Sequence, residues 1–162
     1  MKEIKLNLGF STIVDDEDYE DLSKFRWYVT NPKYPHVARN EYISGCRPKG
    51  TLKVKGHLMH RDIMGCPKGM EVDHINGDGL DNRRLNLRVC TRAENGKNVP
   101  GRKGTSKYKG VALVPQTKRW RALIKCDYKF ITIGTFSTQK EAAMAYDQRA
   151  KELFGEYART NF

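Results

Sequence analysis

One short segment of the 162-residue chain holds the side-chain types that phosphodiester hydrolysis requires. Such a reaction needs a base that activates water and a cation that neutralises the charge developing on oxygen. His74 can be the base, because the unperturbed pKa of a histidine lies near physiological pH. Asp73 and Asn95 can be the ligands, because a hard cation such as Mg²⁺ accepts carboxylate and amide oxygens and keeps several waters.

The elements that must position these side chains are predicted in the order strand, loop, strand, helix. Residues 70–75 read as a short strand, and residues 76–82 have strong turn chemistry. Alternating apolar residues then predict a second strand, namely Leu85, Leu87 and Val89. Thr91 and Glu94 form a capping box, which predicts a helix that ends before Pro100.

Asp73 and His74 are neighbours in the sequence, which places a condition on any shared site. An ideal strand points consecutive side chains to opposite faces of the sheet. The two residues can therefore serve one site only if the strand ends or bulges at this point, and the glycine-containing loop that follows permits it.

The charge distribution indicates a polyanionic partner. The chain carries 30 Lys and Arg against 19 Asp and Glu, a formal net charge of +11. Residues 15–21 are acidic, whereas residues 83–109 hold nine basic residues and a single acid, Glu94. Such a stretch can follow a phosphate backbone. The alternative is a solvated basic loop without a partner.

Other features of the sequence exclude several classes of protein. There is no run of 18 apolar residues. The first eight residues alternate polar and apolar side chains, unlike a signal peptide, and predict a short strand through Ile4, Leu6 and Leu8. We therefore predict neither a membrane-spanning nor a secreted protein. The four cysteines lack any C-x₂-C pair, which argues against a zinc finger and favours free thiols in a reducing compartment. The cysteine spacing leaves open the alternative of a zinc site that is assembled from distant loops.

Several spaced motifs between residues 57 and 98 resemble the HNH nucleases of the ββα-metal type, in the phage and intron homing-endonuclease branch. They are MHRDIMG at 59–65, VDHING at 72–77, DN at 81–82, NLR at 86–88 and TRAEN at 91–95. The resemblance implies that Asp73 and Asn95 hold the metal and that His74 activates water.

By the same resemblance, Asn86 is the middle asparagine, which orients the histidine and braces the loop. Asn82 is the rival for that role, and Asn98 is the rival for Asn95. Asn95 also stands where the family name has its last histidine, a variant familiar in the homing branch. We expect packing or hydrogen-bonding roles for His60 and leave His36 as structural.

A second module follows a predicted linker at 99–106. Residues 111–114, 120–125 and 130–135 read as three strands. A second capping box, Thr138 and Glu141, predicts a helix that ends near Gly155. Alanines along one side of this helix allow it to pack closely against a sheet.

This module resembles the Apetala-type DNA-binding domain of plant ethylene-response factors across nearly all of residues 107–162. Its motifs include YKGV at 108–111, WRALI at 120–124 and EAAMAYD at 141–147. The resemblance implies that the sheet enters the major groove with the helix behind it. Alternation points Trp120, Ala122 and Ile124 toward the helix with Ile131 and Ile133, while the opposite face carries Ala112 and Val114, where the plant pattern has arginines.

The predicted DNA contacts lie in both modules. Arg121 and Lys125 are expected to reach bases, with Thr132 on the same face, and phosphate contacts are expected from Lys107, Lys109, Lys118 and Arg119. The basic stretch adds Arg83, Arg84, Arg88 and Arg92.

The sequence therefore predicts an α+β chain with three parts: a β-rich segment with an HNH core at 1–98, the linker, and the DNA-binding module at 107–162. The predicted function is a homing-type endonuclease that uses Mg²⁺ or Mn²⁺ and nicks one strand of double-stranded DNA per monomer, leaving 3′-hydroxyl and 5′-phosphate ends. We expect a monomer on DNA, with a dimer open, in the cytoplasm of a bacterial host if a phage encodes it. The alternatives are a non-catalytic DNA-binding regulator with a vestigial site, and a restriction or nonspecific HNH nuclease.

Overall fold

The chain forms two compact units, Met1–Arg92 and Ala93–Phe162, in a computed structural model. The structure describes residues 1–46, 52–101 and 104–162. Residues 102–103 of the predicted linker lie outside this part. The division into domains given above stays a prediction.

The first unit is a mixture of small antiparallel sheets and short helices. β1 (Lys2–Lys5) pairs with β2 (Ser11–Val14), and α1 (Asp16–Ser23) follows. β3 (Tyr28–Val29), β4 (Val37–Cys46) and β5 (Leu52–Leu58) form a second sheet. After α2 (Met59–Met64), β6 (Glu71–His74) pairs with β7 (Leu87–Cys90). The short helix α3 (Arg92–Asn95) begins at the last residue of the unit.

The core of this unit draws on nearly every element in it. Its buried members are Val14, Leu22, Trp27, Val37, Met59, Ile63, Val72 and Leu87. Trp27 fills the core with its ring and donates its indole Nε1–H to the carbonyl oxygen of Leu22 at 2.7 Å. Burial of these side chains provides the main stabilisation of the unit.

Two leucines depart from the strands that alternation predicts. Leu8 lies in a 3₁₀ turn (Asn7–Gly9) with φ of 57°, so the first strand ends at Lys5. Leu85 lies in another 3₁₀ turn (Arg84–Asn86) and is 94% exposed. Alternation alone gave a wrong prediction at both positions, because each leucine lies in a turn that is closed by a backbone hydrogen bond. The N–H of Phe10 donates to the carbonyl oxygen of Asn7, and the N–H of Asn86 donates to that of Arg83.

The second unit is an antiparallel sheet packed on one helix, as the alternation predicts. β8 (Val111–Val114), β9 (Arg119–Cys126) and β10 (Lys129–Phe136) are ordered 10-9-8. The helix α4 (Gln139–Phe154) begins at the predicted capping box, in which Thr138 and Glu141 exchange hydrogen bonds. The residues predicted to point toward α4 lie in the two hydrophobic clusters that join helix and sheet: Trp120, Ala122, Ile124, Ile131 and Ile133.

Small residues set the distance between α4 and the sheet. Ala142, Ala143 and Ala150 are fully buried against it. Gly110, just before β8, has φ of 73°, and a Cβ built there would lie 2.1 Å from a ring atom of Tyr146. A side chain at this position would therefore push the helix away from the sheet.

The end of the chain is tied to α4 and to the start of β8. The carboxylate of Asp147 accepts hydrogen bonds from the backbone N–H groups of Asn161 and Phe162. The Asn161 side chain in turn accepts from the backbone N–H of Lys109. Ser106, in the segment predicted as a linker, is buried and donates to Gln139.

Taken together, the described residues contain four α-helices and several small sheets. None of those helices combines the length and the apolar character needed to cross a bilayer. Cys66, Cys90 and Cys126 form no disulfide.

Candidate active site

Asp73 is held by a cross-strand ion pair. The register of β6 and β7 places Asp73 directly opposite Arg88. The Nε and Nη2 groups of Arg88 donate to Oδ2 of Asp73 at 2.9 and 2.6 Å. Both side chains are about nine-tenths buried, with 7% of Asp73 and 11% of Arg88 exposed. Two hydrogen bonds from one guanidinium fix the orientation of the carboxylate that accepts them.

His74 is the last residue of β6 and lies in a different local network. Its Nε2 is 3.3 Å from the Oδ1 atom of Asn82. The rings of His60 and His36 approach it edge to face, with centroids at 5.0 and 5.7 Å. Strand β6 thus ends at His74. An end or a bulge of the strand at this point is what a site shared by Asp73 and His74 requires.

Burial keeps the central imidazoles neutral. Desolvation lowers the pKa of His74, and the hydrogen bond to Asn82 opposes that shift only in part. Burial, followed by the nearby His74 and His36, lowers the pKa of His60 to about 3. At neutral pH His74 is therefore uncharged and able to accept a proton. His60 packs against His74, as expected, and its buried Nδ1 atom finds no hydrogen-bond partner among the described residues.

The loop between the two strands is braced by Asn86. Its Oδ1 accepts from the backbone N–H of Asn76, and its Nδ2 donates to the Asn76 side chain and the Asp81 carbonyl oxygen. Arg83 closes the same loop by donating to Asp81, and this contact lowers the pKa of the carboxyl. Asn86 thus contacts the loop, whereas Asn82, its rival, is the asparagine that contacts the imidazole. Which of the two has the role of the middle asparagine stays a prediction.

Asn95, the predicted second metal ligand, ends α3 and belongs to the second unit, which begins at Ala93. Its convergence with Asp73 and His74 stays a prediction, and so does the rival role of Asn98, which is buried. Within residues 1–46, 52–101 and 104–162, no three His, Cys, Asp or Glu side chains are grouped to hold a metal ion. One carboxylate and one amide oxygen form a different donor set, which suits a hard, largely hydrated cation.

Three of the basic residues predicted to contact DNA are engaged within the first unit. Arg83 pairs with Asp81, and Arg88 pairs with Asp73. Arg84 pairs with Asp18 and Glu17, which belong to the acidic stretch near the N-terminus. These ion pairs neutralise three of the nine basic charges on which the phosphate-tracking prediction for residues 83–109 rests. Arg92 is exposed.

In the second unit, the predicted contacts lie mainly on the face of the sheet opposite α4 and in its turns. The exposed ones are Lys107, Lys118, Arg119, Arg121, Lys125 and Thr132. Lys125 lies over the ring of Phe130, which is 72% exposed. Lys109 differs, because its half-buried ammonium donates to the carbonyl oxygen of Lys97. Desolvation lowers the pKa of Lys109 to about 8.

Sequence reasoning missed two parts of this arrangement. The pairing of Asp73 with Arg88 was within reach, because antiparallel pairing of the two predicted strands places them opposite each other. The other part is Thr12, a buried residue of β2 whose hydroxyl contacts the Asn82 side chain. No signal in the sequence connects residues that are 70 positions apart.

Comparison with known proteins supports the assignment of an HNH endonuclease domain. A family model described as HNH endonuclease matches residues 59–97. An uncharacterized HNH endonuclease, L560 of Acanthamoeba polyphaga mimivirus, is 28% identical over 153 residues, covering 94% of this chain and 75% of the relative. Ethylene-responsive transcription factor WRI1 of Arabidopsis thaliana is 47% identical over 62 residues, which are 37% of this chain and 14% of that protein.

A phage protein gives a further match. Protein 3.8 of Escherichia phage T7 is 32% identical over 94 residues, which cover 57% of this chain and 77% of the phage protein. The matched family segment spans α2, β6, the braced loop and β7, the elements that hold Asp73 and His74. The chain therefore carries an HNH endonuclease domain and belongs to the same family as protein 3.8 of Escherichia phage T7.

Proposed function

We propose that the protein is a divalent-metal-dependent DNA endonuclease of the homing type. The observation that carries the proposal is the buried, neutral imidazole of His74 at the end of β6, one residue from the clamped carboxylate of Asp73. Neutral imidazole is the form that can take a proton from water, and it lies within the segment that matches the HNH family.

In the proposed reaction, His74 is the general base. Its Nε2–H donates to Asn82 Oδ1, so that Nδ1 is the nitrogen that accepts the proton. The water then attacks phosphorus in line with the departing 3′ oxygen, whose bond to phosphorus breaks. That oxygen takes up a proton from solvent, so the ends are 3′-hydroxyl and 5′-phosphate. His60 and His36 exclude solvent from two edges of the ring and thereby keep the base uncharged before the reaction.

Asp73 and Asn95 are the residues that would hold the cation, Mg²⁺ or Mn²⁺. When bound, the ion would neutralise the charge that develops on the phosphate and on the leaving oxygen. Arg88 holds Oδ2 of Asp73 and so limits the rotation of the carboxylate. The fit rests on the chemistry of the donors, since both supply the hard oxygen atoms that Mg²⁺ prefers.

The second unit would supply affinity for duplex DNA. Its exposed sheet face presents Arg121 and Lys125 beside apolar side chains, a combination suited to base edges in the major groove. Lys107, Lys118 and Arg119 are exposed and suited to phosphates. Because one chain carries one HNH segment, a monomer would cut one strand at each visit.

The proposal is tested by nicking of supercoiled plasmid with Mg²⁺ or Mn²⁺. We expect nicking by the wild type, none in EDTA, and a loss of about 10²- to 10⁴-fold in His74→Ala with DNA binding retained. His57→Gln is the matched histidine control, because His57 is bonded to Glu41 and Asp62 elsewhere in the unit. Equal nicking by wild type and His74→Ala would overturn the assignment of the base.

The products of the same assay separate the rival functions. Sequencing of the cut ends on random DNA should give one recurrent site with 3′-hydroxyl termini. Cuts spread over unrelated sequences would favour a restriction or nonspecific nuclease. Binding without cutting in either metal would favour a DNA-binding regulator.

A further inference from the structure

We propose that Thr12, far outside the matched family segment, is a positioning residue of the active site. Through Asn82 it selects the tautomer and orientation of His74. This inference rests on the proposed function, in which His74 is the base, and it assigns a role to the N-terminal hairpin, for which the sequence indicated none.

A chain of buried hydrogen bonds joins Thr12 to the imidazole. The Thr12 hydroxyl donates to the carbonyl oxygen of Leu80 at 2.7 Å. The Nδ2 group of Asn82 donates to Thr12 Oγ1 at 2.9 Å and to the carbonyl oxygen of Gly79 at 3.3 Å. Asn82 Oδ1 lies 3.3 Å from His74 Nε2. Thr12 and Asn82 are both fully buried.

The direction of every bond in this chain follows from its two carbonyl ends. A backbone carbonyl only accepts hydrogen bonds, so the Thr12 hydroxyl donates its single proton to the carbonyl oxygen of Leu80. Its oxygen must then accept from the NH₂ group of Asn82, which Gly79 orients in the same sense. The amide oxygen of Asn82 therefore faces His74, and Nε2 of His74 must carry the proton.

The backbone of β2 is attached to the same loop independently of the Thr12 side chain. Ile13 N–H donates to Leu80 at 3.0 Å, and Asn82 N–H donates to Ile13 at 2.9 Å. One residue beyond β2, the Asp15 carboxylate accepts from the backbone N–H of Arg84 at 2.8 Å. Removing the hydroxyl alone would therefore leave the hairpin docked on the loop.

Loss of the hydroxyl should weaken the preference for one imidazole tautomer. Without Thr12 Oγ1, the Asn82 amide keeps only the longer bond to Gly79, and rotation by a half turn would present NH₂ to His74. Nε2 of His74 would then become the acceptor and Nδ1 would carry the proton, so the basic nitrogen of the proposed reaction would be lost.

The test compares Thr12→Val, which keeps the shape and removes the hydroxyl, with Thr12→Ser, which keeps the hydroxyl. We expect Thr12→Val to lower the maximal nicking rate about 10- to 100-fold, the range found for the outer hydrogen-bond partners of metal-ligating histidines. DNA affinity should stay unchanged, and Thr12→Ser should nick at close to the wild-type rate.

A second readout is independent of cutting. Nitrogen-15 NMR of the full chain in EDTA should show His74 as the Nε2–H tautomer in the wild type and in Thr12→Ser, and a mixture in Thr12→Val. Circular dichroism at the assay temperature establishes that each variant is folded.

Two results would overturn the inference. One is a Thr12→Val variant with the wild-type nicking rate and the wild-type tautomer of His74. The other is an equal loss of nicking rate in Thr12→Ser and Thr12→Val, which would assign the effect to packing. Failure of the proposed function is recognised separately, because the wild type itself would then not nick, or His74→Ala would nick as well as the wild type. In that case the tautomer comparison still decides whether Thr12 sets the tautomer of His74.

Discussion

The two units use opposite means to hold their functional side chains. In the first unit, the predicted catalytic side chains Asp73 and His74 are buried, and each depends on a specific polar partner, Arg88 and Asn82. In the second unit, the predicted DNA-contacting side chains are exposed, and the polypeptide behind them is a sheet packed on small alanines. The first arrangement requires a specific hydrogen-bonding or ionic partner for each buried side chain. The second requires only that the helix fits against the sheet and that polar and apolar residues alternate along the strands.

This difference explains where mutation should be costly. A buried ionic or polar group that loses its partner retains its desolvation penalty, whereas an exposed one is rehydrated. A closely packed alanine interface is instead sensitive to added volume. The polar network around Asp73 and His74 should therefore be destabilised when an atom is removed, and the helix–sheet interface should be destabilised when atoms are added.

The largest effect on stability is expected from Arg88→Met. This change leaves the buried Asp73 carboxylate without its cross-strand partner, and breaking such a pair typically costs about 3–5 kcal/mol. The free energy of unfolding from urea titration measures it. Lys24→Met is the matched control, because Lys24 and its partner Asp21 are 66% and 83% exposed and exposed pairs contribute little to the free energy of unfolding. Equal losses in the two variants would contradict the contrast between buried and exposed pairs.

A smaller effect is expected from Ala143→Leu in α4. Ala143 is fully buried in the cluster that joins helix and sheet, and added volume in such a core costs about 1–3 kcal/mol. Met144, the next residue along the helix, is 58% exposed, so Met144→Leu should leave the unfolding free energy nearly unchanged. A neutral Ala143→Leu would mean that the interface tolerates added side chains.

The last effect concerns pH, and its size grows with the pH interval that is titrated. The pKa of His60 is lowered from 6.5 to about 3, so between these values the unfolded chain binds a proton that the folded chain does not. Stability should therefore fall as the pH drops below about 6.5, by about 1.4 kcal/mol per pH unit for this group. His60→Phe should reduce that slope by the contribution of one proton in metal-free buffer. An unchanged slope would show that His60 is not buried in its neutral form.

Prediction from sequence succeeded where local pattern and packing agree. Strand β8 has the predicted bounds, and α4 begins at its capping box, because period-2 alternation and the Thr138–Glu141 pair are local properties. The same reasoning was wrong at Leu8 and Leu85, since backbone turns interrupt the alternation at both residues. The sequence left two candidates, Asn82 and Asn86, for the partner of His74, because composition alone cannot choose between side chains of identical chemistry.

By itself, the sequence determined the chemistry available to this protein: a histidine beside an aspartate at the end of a strand, basic residues in excess, and a strand-rich second unit with an alanine-lined helix. Only the tertiary structure decided which partners hold those groups. Asn82 contacts His74, and Thr12 reaches the same network from 70 residues away. The reason is physical: chain connectivity and alternation are local, whereas a buried hydrogen bond forms between whichever groups the packed core brings within reach.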